Sequence, residues 1–108
     1  MVKTVLMEIY KKEITQYINS MKQTVYKYPI EITDYQDVTL PKGAKILCIK
    51  NQNGIICIWA LVNKDENETE TIKLRCAGTG HLIEEDVEYI DTVFVCGGNL
   101  VFHFFKIK

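Results

Sequence analysis

Residues 41–62, PKGAKILCIKNQNGIICIWALV, restrict the fold more than any other stretch of the chain. Two apolar runs rich in β-branched residues flank Asn53-Gly54, a pair that tolerates the positive φ angles of a tight turn. The runs are therefore expected to fold back as neighbouring antiparallel strands. In the second run both alternating sets are apolar: Ile55, Cys57, Trp59 and Leu61 on one side, Ile56, Ile58, Ala60 and Val62 on the other. Such a strand calls for cover on both faces, and Trp59, mid-strand between Ile58 and Ala60, is assigned to core packing.

Around this hairpin the pattern is mostly β. Thr24–Ile32 alternates, with Pro29 placing it at an edge or a bend, and Thr33–Asp37 is polar and turn-like, followed by a brief pairing segment at Val38–Leu40. Pro41-Lys42-Gly43 turns into the hairpin. The acidic stretch Asn63–Glu70 reads as a solvated loop, and Thr71–Cys76 and Tyr89–Cys96 read as strands. Gly97-Gly98-Asn99 closes a second hairpin into Leu100–Ile107. Six or seven short strands indicate a mainly β domain, a small antiparallel sandwich or compact barrel.

Residues 2–22 differ in period. Val2, Val5, Leu6, Ile9, Tyr10, Ile14, Tyr17, Ile18 and Met21 recur at spacings of three and four, the signature of an amphipathic helix. The organisation expected is an N-terminal helix over 1–23 and a single β domain over 24–108. The apolar stripe of the helix and the second face of the hairpin both need partners, so the helix is expected to cap the sheet and identical chains to bury the remainder as a homo-oligomer.

With 13 basic and 14 acidic residues the net charge is -1, which gives no overall attraction to nucleic acid. The N-terminus lacks the continuous apolar segment of a signal peptide, and no stretch is apolar enough to span a membrane. A cytoplasmic location is expected. Cys48, Cys57, Cys76 and Cys96 should then be free thiols. Their spacing has no Cys-x-x-Cys pair, so no metal or other cofactor is assigned.

Gly78-Thr79-Gly80-His81 is the most suggestive local motif. Its glycines allow close backbone approach to a ligand, and Thr79 and His81 add hydrogen-bonding side chains. Arg75, the sole arginine, precedes this loop and suits a phosphate or carboxylate; Lys42 and Lys45 add charge if the fold brings them near. A turn requiring positive φ and a surface ion pair are the bland alternatives for the glycines and for Arg75. His103, between Phe102 and Phe104, reads as a satisfied core or interface histidine. A Cys48 or Cys57 thiol beside it would lack an orienting third group, and the consecutive Glu84, Glu85 and Asp86 are not opposed across a cleft. No catalytic set is assembled.

From residue 24 onward the chain resembles a family of short, mostly bacteriophage- and prophage-encoded proteins of unassigned function. The shared string appears here as VYKYPIEI, LPKGAKIL, QNG, IWALV, GTGH, EYI.T and GG.LVFH. The resemblance implies a viral or prophage origin and a compact β domain, with residues 1–23 as an added helix. By class analogy it implies a non-enzymatic accessory protein. The leading expectation is an anti-defence factor that sequesters a small anionic, cyclic nucleotide-like host signal at Arg75, Gly78, Thr79, Gly80, His81, Lys42 and Lys45. The alternative is a protein-interaction module that inhibits a host or phage protein through its helix or a sheet edge.

Overall fold

In the computed structural model the described residues are 8–12 and 22–108. Residues 8–12 are helical and exposed, Ile9 and Tyr10 included. The remainder of the helix expected over 2–22 lies outside the described residues. Seven strands follow: β1 (Gln23–Ile30), β2 (Tyr35–Pro41), β3 (Lys45–Gln52), β4 (Ile55–Asn63), β5 (Thr69–Gly78), β6 (Val87–Val95) and β7 (Leu100–Ile107). They form two antiparallel sheets, β1-β4-β3 (sheet A) and β2-β5-β7-β6 (sheet B), the mainly β architecture that the alternation indicates.

The Asn53-Gly54 turn forms with φ of 54° and 90°, both positive as a tight hairpin of this hand requires. Asn51 Oδ1 accepts the Gly54 N–H at 2.8 Å and fixes the turn. The hairpin sets Ile49 opposite Ile58 and Cys48 opposite Trp59. With β1 on its other side, β4 becomes the central strand of sheet A. Pro29 falls on the edge strand β1, opposite Cys57, where one side of the strand has no ladder to break.

The core lies between the sheets. Ile30, Ile49, Ile56, Ile58, Ala60 and Val62 from sheet A meet Leu40, Leu74, Cys76, Val93 and Phe104 from sheet B. Phe104, Ile49, Ile58 and Leu74 are fully buried, each such side chain contributing about 1.5–3 kcal/mol of transfer free energy. Only the even-numbered set of β4 faces this interior. Cys57 is covered between Pro29 and Lys50, but Trp59 is only half-buried between Lys27 and Cys48. Nearby Val25, Leu47 and Ile55 are 47%, 49% and 58% exposed. Trp59 is therefore not a core residue: it belongs to the odd-numbered set, and a two-layer sandwich has one interior to offer.

One other element departs from the sequence reading. Strand β2 begins at Tyr35, inside the segment expected to turn, because Tyr35, Gln36 and Asp37 pair with Arg75, Leu74 and Lys73 of β5. Strand β7 lies between β5 and β6, so the chain leaves β5, skips one position and returns.

The sheets are joined where β3 meets β6. The β6 ladder shifts register between Tyr89 and Asp91, an irregularity of the kind that re-aims side chains. Asp91 accepts the Ile49 N–H at 2.9 Å and meets Lys50 Nζ at 3.1 Å, while Asn51 Nδ2 donates to the Phe94 carbonyl at 3.2 Å. Burial raises the Asp91 carboxyl, but the amides of Ile49 and Thr92 together with Lys50 outweigh it and hold the group below the usual carboxylate value. A carboxyl lowered on folding stabilises the protein above its unfolded value, and that stability disappears as pH falls through the lowered value.

Two outcomes follow from these contacts. Gly54→Val, which meets no neighbouring atom but must hold φ near 90°, should lower unfolding free energy by about 1–2 kcal/mol in urea titration. Asp91→Asn should cost about 1.5–3 kcal/mol at pH 7. The deficit should shrink as both proteins are acidified from about pH 4, the unfolded carboxylate value, down through the lowered value of Asp91.

Candidate functional site

Arg75 projects from β5 on the outer side of sheet B, yet it is 8% exposed. One terminal nitrogen donates to the Cys76 carbonyl and, at 3.5 Å, to the Asp34 carbonyl; the other donates to the Leu82 carbonyl at 3.0 Å. The Asp34 and Glu85 carboxylates stand 3.7 Å and 3.6 Å away, and the Tyr35 ring lies under the guanidinium at 5.1 Å. The arginine thus clamps the start of β2 to the loop over residues 79–86. Its charge faces two carboxylates, which leaves little field for an incoming anion.

Tyr35 completes the clamp by donating its hydroxyl to Glu85. That bond, with the Glu85 and Glu84 backbone and Arg75 acting in the same direction, holds the Glu85 carboxyl below its ordinary value, and the same bond raises the Tyr35 phenol. The stabilisation from Glu85 is present above the ordinary carboxylate value and lost on acidification through the lowered one. That from Tyr35 is present below about pH 10 and lost as the pH rises through the raised value.

The glycine loop is explained by its own geometry. Gly80 has φ of 90°, and the His81 N–H returns to the Gly78 carbonyl at 3.1 Å, closing a turn. The His81 ring rests on Gly78 so closely that a Cβ there would lie 3.0 Å from Cε1. Thr79 turns instead to His103, its hydroxyl 2.8 Å from Nε2, and Nδ1 lies 2.9 Å from the Thr92 hydroxyl, which in turn meets the Tyr89 hydroxyl at 2.8 Å. Both imidazole nitrogens are satisfied, as expected for His103, although at a half-buried outer position.

Lys42 is at the other end of sheet B: Pro41 pairs with Thr69, whereas Tyr35 pairs with Arg75, so the turn that carries Lys42 begins roughly 20 Å along the strand from Arg75, and Lys45 opens β3 in the other sheet. Lys42 is bound to Glu68 at 3.1 Å, which raises its pKa. Lys45 borders a separate cleft of about 330 Å³ with Leu40, Ile46, Ile72, Glu88 and Lys106. The structure therefore brings together Arg75 with Asp34, Tyr35 and Glu85, and Thr79 with His103, but not the lysines with either. Cys57 and His103 lie on the outer faces of different sheets. Among the described residues no group of three or more His, Cys, Asp or Glu side chains is placed to hold a metal, and no helix is long and apolar enough to cross a membrane.

The outer face of sheet A is the second face of the hairpin, which the sequence reading expects the helix and identical chains to cover without singling out its residues as a site. Val25, Leu47, Cys48 and Trp59 line a shallow hollow of about 460 Å³, bordered by Lys50, Asn51 and Gln52. Lys27 stands beside Trp59 and is held by the neutral Gln52 at 2.8 Å, and Lys50 reaches Asp91 at the margin. The outward positions of β1, β3 and β4 carry no carboxylate. Lysines on both flanks of the odd-numbered set were the available signal, but only the register places them around Trp59.

If Arg75 is structural, Arg75→Ala should lower stability by about 2–3 kcal/mol through its lost charge-assisted bonds. Amide exchange should accelerate mainly over residues 79–86 and 33–36, and Arg75→Lys should restore little, since an ammonium cannot reach several carbonyls as a planar fork does.

No curated protein and no solved structure matches the chain. A family match covers residues 21–108 and takes in every strand of both sheets. On that match the chain belongs to the family described as a domain of unknown function, DUF7352.

Proposed function

We propose that the chain is a non-enzymatic protein-binding domain that docks an acidic, apolar-bearing segment of another protein on the outer face of sheet A. The observation that carries this reading is the incompletely buried Trp59 near the exposed Val25 and Leu47, with Lys27 beside it, no carboxylate on the same strands, and Lys50, paired with Asp91, at the margin. Exposed apolar patches rimmed by polar groups mark interaction surfaces, and tryptophan is prominent among residues that dominate them. Lys27, held only by the neutral Gln52, favours a partner supplying Asp or Glu around its apolar anchors. A second copy fits less well, because a two-fold axis through the patch would face lysines with lysines.

Capture of a cyclic nucleotide-like anion at the Arg75 corner has less behind it, since Asp34 and Glu85 already answer that charge. With a phage or prophage origin, as the family resemblance implies, the partner is a host or phage protein and the outcome of binding is its inhibition.

The test is selection of a random peptide display library on the purified chain, with Trp59→Ala used for counter-selection. Enriched peptides should combine large apolar residues with Asp or Glu, shift the emission of Trp59, the sole tryptophan, and lose at least about tenfold in affinity to Trp59→Ala. Peptides indifferent to that substitution would sink the proposal. So would a stable dimer in sedimentation that Trp59→Ala dissociates.

A further inference from the structure

Independently of the docking face, we infer that the cleft between the start of β3 and sheet B is a binding site for a small zwitterion with an apolar side chain, such as a free hydrophobic α-amino acid. The cleft measures about 330 Å³, near the lower end of the size of small-ligand sites. Its floor is made by Leu40, Ile46, Ile72 and Ile90, inward-facing side chains of both sheets.

The charges at its mouth decide the ligand class. Lys45, Lys106, Glu70 and Glu88 all border the opening. Glu70 and Lys106 sit on the inward side of their strands, in register with Leu40 and Glu88 respectively. Glu70 accepts the Gly43 N–H at 3.1 Å through one oxygen, which leaves the other available. Glu88 and Lys106 are directly opposed across the ladder, yet no ion pair joins them, and among the described residues neither they nor Lys45 has a hydrogen-bond or ion-pair partner. A simple anion entering here meets two carboxylates, and a simple cation meets two ammonium groups. A molecule with both charges on one carbon and a hydrocarbon tail satisfies both kinds of group while its tail covers the isoleucine floor.

Neither the Arg75 clamp nor the outer face of sheet A takes part. The cleft opens at the end of sheet B away from the glycine loop, and its lining shares no residue with the Trp59 hollow.

The experiment is isothermal titration of the full chain with L-leucine and L-phenylalanine, beside three analogues each lacking one feature. These are glycine, without the apolar tail; 4-methylpentanoate, without the ammonium; and isoamylamine, without the carboxylate. At least one of the two amino acids should bind, with each analogue weaker by about tenfold or more. Glu88→Gln and Lys106→Gln should each weaken the amino acid by about tenfold while leaving the melting temperature of the free protein nearly unchanged, since neither residue has a partner to lose. Heat signals absent for both amino acids at millimolar concentration would overturn the inference. Equal binding of 4-methylpentanoate, or binding unchanged in both variants, would overturn it as well.

Discussion

Strand β4 is apolar on both sides, and the sandwich has one interior. Everything else in the molecule adjusts to that mismatch. Ile56, Ile58, Ala60 and Val62 take the interior and hold the two sheets together, supported from the opposite layer by Leu74 and Phe104. Cys57, Trp59 and Leu61 are left on the outside of a sheet whose neighbouring strands cover only Cys57 fully. The indole left on that face is the basis of the docking surface proposed above, and Lys27 beside it underlies the charge proposed for the partner.

Groups that resemble ligand-binding chemistry in this chain are largely consumed by architecture. The sole arginine holds a loop and a strand end through carbonyls and two carboxylates. The glycines beside it serve a turn and the close approach of the His81 ring. His103 spends both nitrogens on threonine hydroxyls, and Asp91 links the sheets at the β6 irregularity. By contrast, the side chains of Lys106 and Glu88 at the open end of the sandwich have no hydrogen-bond or ion-pair partner among the described residues.

Much of the fold was legible because its signals are local. Asn53-Gly54 specifies its hairpin through backbone conformation alone, Pro29 marks an edge strand through its missing donor, and alternation of Ile72, Leu74 and Cys76 with Thr71, Lys73 and Arg75 assigns the inward set of β5. What could not be read depends on contacts between distant segments. Tyr35–Asp37 looks like a polar turn until Lys73–Arg75 arrives to pair with it, and Arg75 looks available until Asp34 and Glu85 are brought to it from either side in the chain. Trp59 reads as interior because hydrophobicity predicts burial but not which of two equally apolar faces receives it. Lys42 ends far from Arg75 because β2 and β5 run antiparallel, and Lys45 opens β3 in the other sheet.

The most direct measurement is collisional quenching of the emission of Trp59 in the full chain by acrylamide, iodide and caesium. An incompletely buried indole beside Lys27 predicts emission at the wavelength of partly hydrated tryptophan, quenched by acrylamide and more strongly by iodide than by caesium at equal ionic strength. Blue-shifted emission resistant to all three would mean that another part of the chain or a second copy already covers the face, and the central claim would fall.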